Sequence, residues 1–189
     1  MSRLRVWTFL LTAVVGSPRL AGADWLLIPF IGVSGRTETG FLDLDDVVSN
    51  PHPSYGAGVT FLPDGMVGAE AEVSWTPSAF TGHDLIESSR IITATGGMVL
   101  TLPKRWSPRV RPYVMIGAGL IHVTSTDIAG IFPVDSARGV TCAGAGAWIP
   151  ISPRLGARAS VRYLHGGSAD ATNRFKMWQA AGGMTVQFR

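Results

Sequence analysis

Beyond its first two dozen residues the chain is patterned with a period of two. Residues 67–75 (VGAEAEVSW) set Val67, Ala69, Ala71, Val73 and Trp75 against Gly68, Glu70, Glu72 and Ser74. Residues 54–61 set Tyr55, Ala57, Val59 and Phe61 against Gly56, Gly58 and Thr60. Residues 155–164 set Leu155, Ala157, Ala159, Val161 and Tyr163 against Gly156, Arg158, Ser160 and Arg162. In residues 177–188, Trp178, Ala180, Met184, Val186 and Phe188 oppose Gln179, Thr185 and Gln187. Successive side chains of a strand point to opposite faces, so each run reads as a strand with one apolar face. Runs at 25–36, 91–102, 111–124 and 140–149 are apolar and β-compatible, with less regular alternation. That makes eight candidate strands, each near the ~9–11 residues with which a tilted strand crosses a bilayer.

The connections alternate in length. Residues 62–66 (LPDGM), 103–110 and 150–154 are short, the first with Pro and Asp-Gly as turn formers. Between them lie polar stretches at 37–53, 76–90, 125–139 and 165–176. Short turns interleaved with long loops predict consecutive antiparallel hairpins, with the short turns on the periplasmic side if the barrel spans an outer membrane.

Alternation alone does not say whether the apolar face points into or out of a barrel. A secreted, lipocalin-like barrel would turn it inward. Composition favours the outward choice. Charged residues are 15% of the chain, against roughly 25% in an ordinary soluble domain. Aromatics fall near both ends of the runs: Tyr55, Trp75, Tyr163 and Trp178 toward the loops, Trp25, Phe61, Tyr113, Trp148 and Phe188 toward the turns. Two such belts suit the two interfaces of a membrane. The expected fold is all-β: an eight-stranded antiparallel up-and-down transmembrane β-barrel.

The N-terminus reads as an export signal. Arg3 and Arg5 precede an apolar stretch from Val6 to Val15, and Ala21-Gly22-Ala23 supplies small residues for cleavage. Residues 1–23 are therefore expected to be removed and residues 24–189 to form the barrel. The full chain has a formal charge of +3, but Arg3, Arg5 and Arg19 lie in the signal, and thirteen basic and thirteen acidic residues follow it. Neutrality removes the electrostatic basis for nucleic-acid binding. The lone Cys142 cannot form an internal disulfide and reads as a small apolar strand residue.

Several short stretches resemble the outer-membrane β-barrel family that includes OmpX and the membrane domain of OmpA. They are Asp24-Trp25 with Pro29-Phe30-Ile31-Gly32, Arg111-Pro112-Tyr113 with Gly117-Ala118-Gly119, Gly144-Ala145-Gly146 and Val161-Arg162-Tyr163. The ending Gly183-Met184-Thr185-Val186-Gln187-Phe188 resembles the C-terminal signal read by barrel-assembly machinery. It departs from that signal in carrying Arg189 after the aromatic and Ala181 where a polar residue is usual. The resemblance implies residence in the bacterial outer membrane, a monomeric barrel, and lipid, lipopolysaccharide and assembly machinery as partners. Fold membership does not by itself fix a function.

Candidate chemistry begins inside the barrel. Glu70 and Glu72 share a face of the third run, Arg158 and Arg162 a face of the seventh, and these strands lie opposite each other in an eight-stranded barrel. Glu70 and Arg158 each stand three residues from the turn-side start of their run. An inward charge network of Glu70, Glu72, Arg158 and Arg162, with Gln179 and Gln187 nearby, is expected, because charges in a narrow lumen must pair. It serves either as a plug or as a gate. His165 with Ser168, and His122 with Ser125, sit near the loops. They prompt comparison with a lipid A deacylase motif similar to His-x-Ser-Asn, but the spacing here differs and the Asn is missing. Glu38, Asp43, Asp45 and Asp46 make the first long loop acidic without a complete calcium-loop pattern, and Lys104, Arg105, Arg109 and Arg111 make the second turn basic. The Gly-x-Gly pairs lack nucleotide-site context. No zinc spacing is present, and no metal or cofactor is expected.

The expected role is non-enzymatic: an envelope component with a plugged lumen and surface-contacting loops. A narrow channel for small or hydrophobic solutes is the alternative, followed by a lipid A-modifying acyl hydrolase and a secreted ligand-binding barrel. No periplasmic peptidoglycan-binding domain is expected after the eighth strand.

Overall fold

The computed structural model describes residues 24–39, 51–62, 66–77, 86–103, 106–107, 109–127, 134–167 and 174–188. The proposed signal, residues 1–23, lies outside them. Eight strands follow one another: β1 (Asp24–Thr39), β2 (His52–Leu62), β3 (Val67–Pro77), β4 (Ile86–Thr101), β5 (Arg111–Asp127), β6 (Val134–Pro150), β7 (Leu155–Gly167) and β8 (Arg174–Phe188). Each pairs antiparallel with the next, and β1 pairs with β8 from Trp25↔Phe188 to Thr39↔Phe175, closing the barrel. A bulge between Arg36 and Glu38 adjusts that seam. Closure leaves no sheet edge within the barrel wall, which a strand protein must achieve in lipid.

The strands overrun the apolar runs that announce them. The β4–β5 ladder reaches Ile86↔Asp127 and the β5–β6 ladder reaches Ser125↔Val134, well into stretches read from sequence as loop. Hydrophobicity stops where lipid stops, whereas backbone pairing continues as long as two strands stay side by side. Ser, Thr and Val in these extensions are compatible with a ladder above an apolar band.

The faces separate cleanly. On β3, Val67, Ala69, Ala71, Val73 and Trp75 point outward, and Gly68, Glu70, Glu72, Ser74 and Thr76 are buried inside. The exterior is apolar around the wall, through Leu27 and Ile31 on β1, Val59 on β2, Met98 on β4, Ile116 and Leu120 on β5, Val161 on β7 and Met184 on β8. The interior mixes apolar and polar side chains, with the charged Glu70, Glu72, Arg158 and Arg162 in its middle. Leu26, Ile28, Leu62, Val99, Met115, Ile121, Val140, Leu164 and Met177 all face inward and belong to one packed cluster. This explains the irregular alternation of the first, fourth and fifth runs, whose two faces are both apolar.

Two aromatics depart from the sequence expectation. Tyr113 and Trp148 were expected in the turn-side belt, yet both are buried in the lumen, stacked with ring centroids 4.0 Å apart. Trp25 and Phe61 do pair on the outside at that end, and Tyr55 and Trp75 at the other. At the last short turn, Ile151 and Ser152 donate their N–H groups to the Leu155 carbonyl at 2.9 and 2.8 Å. Ser152 Oγ accepts in return from Leu155 N at 3.1 Å.

Candidate functional site

The polar middle of the lumen is built from facing walls. Arg158 on β7 reaches across to Glu70 on β3 with two parallel bonds, Nη1 to Oε2 at 2.8 Å and Nη2 to Oε1 at 2.9 Å. This fork is the strongest geometry an arginine and a carboxylate adopt. Both side chains are almost completely shielded. Arg158 Nε donates to Tyr113 Oη at 2.6 Å, and its guanidinium carbon lies 4.9 Å from the Tyr113 ring centroid. Thr60 donates to Glu70 Oε2 at 2.8 Å. Arg162 donates through Nη2 to Glu70 as well, and pairs with Glu72 Oε2 at 2.5 Å. Two carboxylates and two guanidinium groups thus balance in one buried cluster, with Glu70 as the hub.

Local sequence makes the cluster possible. Gly144 and Gly146 face inward on β6, between Tyr113 on β5 and Arg162 on β7. A Cβ at Gly144 would stand 2.9 Å from Arg162 Cγ, and one at Gly146 would stand 2.6 Å from Tyr113 Cζ. The bare backbone of β6 is the floor on which both neighbours lie. Gly146→Ala is therefore expected to displace the Tyr113 ring from Arg158 and to cost about 1–3 kcal/mol, the range for overpacking. Denaturant unfolding of the refolded barrel checks this, with Ala145→Gly on the outer face as a control that leaves the lumen unchanged.

Hydroxyl contacts continue toward the loop end: Ser74 with Thr93 at 2.5 Å and Ser34 with Thr76 at 3.4 Å. Gln179, expected beside the charges, donates instead to Ser54 at 3.3 Å. Gln187 lies apart from the cluster, at the short-turn mouth. The sequence reading missed Tyr113 and Thr60. Thr60 could have been found from its inward face and its pairing opposite Glu70 on β3.

The remaining sequence candidates are placed as follows. His122 Nε2 lies 2.5 Å from Asp135 Oδ1 on the outer face near the loop end. His165 is exposed, and its backbone carbonyl accepts from Thr141. Ser168 lies outside the described residues, and the structure brings no serine hydroxyl to His122 among them. Glu38 lies within β1, whereas Asp43, Asp45 and Asp46 lie outside the described residues. In the basic turn, Arg109 is exposed, and Lys104 and Arg105 lie outside the described residues. Arg111 departs from that turn: it is 9% exposed, points into the lumen mouth, and donates through Nε to the Leu102 carbonyl at 3.4 Å. Cys142 is buried and free inside the barrel. Among the described residues no group of three or more potential metal ligands occurs. Gly183 packs its backbone against Phe30, Val186 is half-buried on the outer face, and Phe188 is exposed there.

A closed eight-stranded antiparallel sheet with a largely apolar exterior, aromatics near its ends and a paired charge cluster in its lumen defines a transmembrane β-barrel of the bacterial outer-membrane type. Solved structures share this fold. Neisserial surface protein A superposes with a TM-score of 0.65 at 11% identity, over 88% of this chain and 99% of that one. The attachment invasion locus protein Ail of Yersinia pestis, solved with the heparin analogue sucrose octasulfate, gives 0.55 at 19% identity, over 87% and 99%. The N-terminal β-barrel domain of Pseudomonas aeruginosa OprF gives 0.52 at 19%, over 87% and 97%. At these identities the likeness is one of fold. The sequence matches no protein-family model and no curated protein sequence.

Proposed function

We propose that the protein is a non-enzymatic structural barrel of the outer membrane whose lumen is plugged, and that its loop-end strand extensions make contacts at the cell surface. The supporting observation is the bridge from Arg158 and Arg162 on one wall to Glu70 and Glu72 on the opposite wall. Buried Ile91, Ile121, Leu164 and Met177 pack toward the loop end of the lumen, and Leu26, Leu62 and Trp148 toward the turns. An ion entering from either side meets these bulky apolar side chains, interspersed with polar ones, before the layer of paired charges. Removing the signal at Ala23 and reading the strand around Gly183, Val186 and Phe188 by the assembly machinery belong to the same reading, as do lipid and lipopolysaccharide as surroundings.

Planar-bilayer recording tests the plug. Wild-type protein is expected to give no stable conductance, whereas Arg158→Ala, which opens the bridge to Glu70, is expected to give flickering currents. Large, steady wild-type currents would replace the plug with the channel reading.

A further inference from the structure

A groove of about 510 Å³ lies on the short-turn rim where β7 meets β8, lined by Pro153, Arg154, Val186, Gln187 and Phe188. Gln187 N donates to the Arg154 carbonyl at 2.8 Å, which pins the end of the β6–β7 turn beside the last residues of β8. Val186 and Phe188 share the outward face of β8. One wall of the groove is therefore the lipid-facing surface of the barrel. Its neighbours mark its depth. Phe188 pairs with Trp25 across the β1–β8 seam, and Trp25 packs on Phe61 with ring centroids 4.9 Å apart. Such an aromatic row belongs at headgroup level. Ile149 and Ile151, beside the same turn, are 44% and 69% exposed, so the apolar surface continues to the rim.

Among the lining residues Arg154 alone is charged. It is exposed, and its guanidinium makes no ion pair or hydrogen bond among the described residues. A guanidinium presents a planar fork of donors that matches a phosphate. The apolar wall beside it suits hydrocarbon, so a lipid phosphate fits the groove better than a soluble anion does. No carboxylate lines the groove to balance an ammonium. The charge therefore favours a lipid whose head is negative overall over a zwitterionic one.

We propose that this groove binds one anionic phospholipid of the phosphatidylglycerol class. Its phosphate lies toward Arg154, and its acyl chains run along Val186 and Phe188. Short turns are periplasmic in outer-membrane barrels, so the lipid comes from the inner leaflet. The volume holds about seventeen heavy atoms at water's share of ~30 Å³ each, room for a phosphodiester head and its glycerol. The site is separate from the charge cluster and does not depend on whether the lumen conducts.

The test is native mass spectrometry of the full barrel in a neutral detergent, titrated with dioleoyl lipids. Phosphatidylglycerol, phosphatidylethanolamine and phosphatidylcholine then carry the same chains and differ in the head. One phosphatidylglycerol per barrel is expected to bind saturably, about fivefold tighter than either other lipid, as one cation acting on an anionic lipid implies. Glycerol phosphate, a head without chains, is expected to bind about tenfold more weakly still, for lack of apolar contact. Arg154→Gln is expected to remove the preference for phosphatidylglycerol. Arg109→Gln, exposed at the β4–β5 turn and outside the groove, is expected to keep it. Both arginines are exposed, so neither change strains the fold. The proposal is overturned by equal affinity for the three lipids, by glycerol phosphate binding as tightly as the lipid, by a preference that survives Arg154→Gln, or by equal loss in the two variants. A dimer that forms in wild type and disappears in Arg154→Gln would give the groove to a second copy of the chain and overturn it as well.

Discussion

Glu70→Ala is expected to destabilise the barrel by about 3–5 kcal/mol, the range for removing one partner of a buried ion pair. The substitution removes the acceptor of both parallel Arg158 bonds, one bond from Arg162 and the bond from Thr60. Arg158 is left with Tyr113, and the lumen carries an uncompensated positive charge. Glu72→Ala should cost less, about 1–3 kcal/mol, because Glu72 receives one ion pair, from Arg162, which keeps Glu70. The pair Glu70→Leu with Arg158→Met should recover most of the loss, since apolar replacement of a whole buried pair is often neutral or better. Urea unfolding of refolded protein in lipid vesicles measures all three. Equal losses for Glu70→Ala and Glu72→Ala would show that Glu70 is not the hub.

The second large effect lies on the opposite surface of the wall. Met184 is 55% exposed on the outward face of β8, between Trp178 and Phe188. Met184→Arg is expected to cost about 2–4 kcal/mol in a bilayer, the penalty for a cation at mid-membrane depth on a barrel's lipid face. Met184→Leu should be close to neutral, being a volume-conserving apolar change. The comparison is made by vesicle refolding, which avoids cellular assembly and with it any reading of the Gly183–Phe188 strand end that contains Met184. An arginine variant as stable as wild type would remove the assignment of this face to lipid.

The strand count, the hairpin order and the outward face of β3 and β7 are all legible in period-two alternation, because on these strands the two faces differ in polarity. The same rule has little to read on β1, β4 and β5, where Leu26, Ile91 and Met115 point inward and Leu27, Ile92 and Ile116 point outward. Tyr113 and Trp148 were assigned to the outer belt because an aromatic near a strand end suits an interface. Inside, they find each other and Arg158, a three-dimensional contact between β5, β6 and β7 that no spacing along one strand records. The faces and depths of Glu70 and Arg158 follow from alternation and strand number, but the details of the bonding do not. Glu70's role as hub depends on rotamers, and on the room that Gly144 and Gly146 leave beside it. Arg111 illustrates the reverse error: proximity in sequence to Arg109 suggested a shared surface, while strand parity turned Arg111 inward.

The bridge across the lumen also bears on the order in which the protein is made. Glu70 and Arg158 are 88 residues apart in sequence, on hairpins that meet only around the completed circumference. A growing or partly inserted sheet holds two carboxylates and two guanidinium groups that have nowhere to go but water or headgroups, since lipid rejects them unpaired. Open sheets are therefore expected to stay out of the bilayer interior until the walls that carry β3 and β7 face each other. Such dependence on distant contacts slows folding. It also makes insertion nearly all-or-none, so that half-built barrels do not accumulate in the membrane.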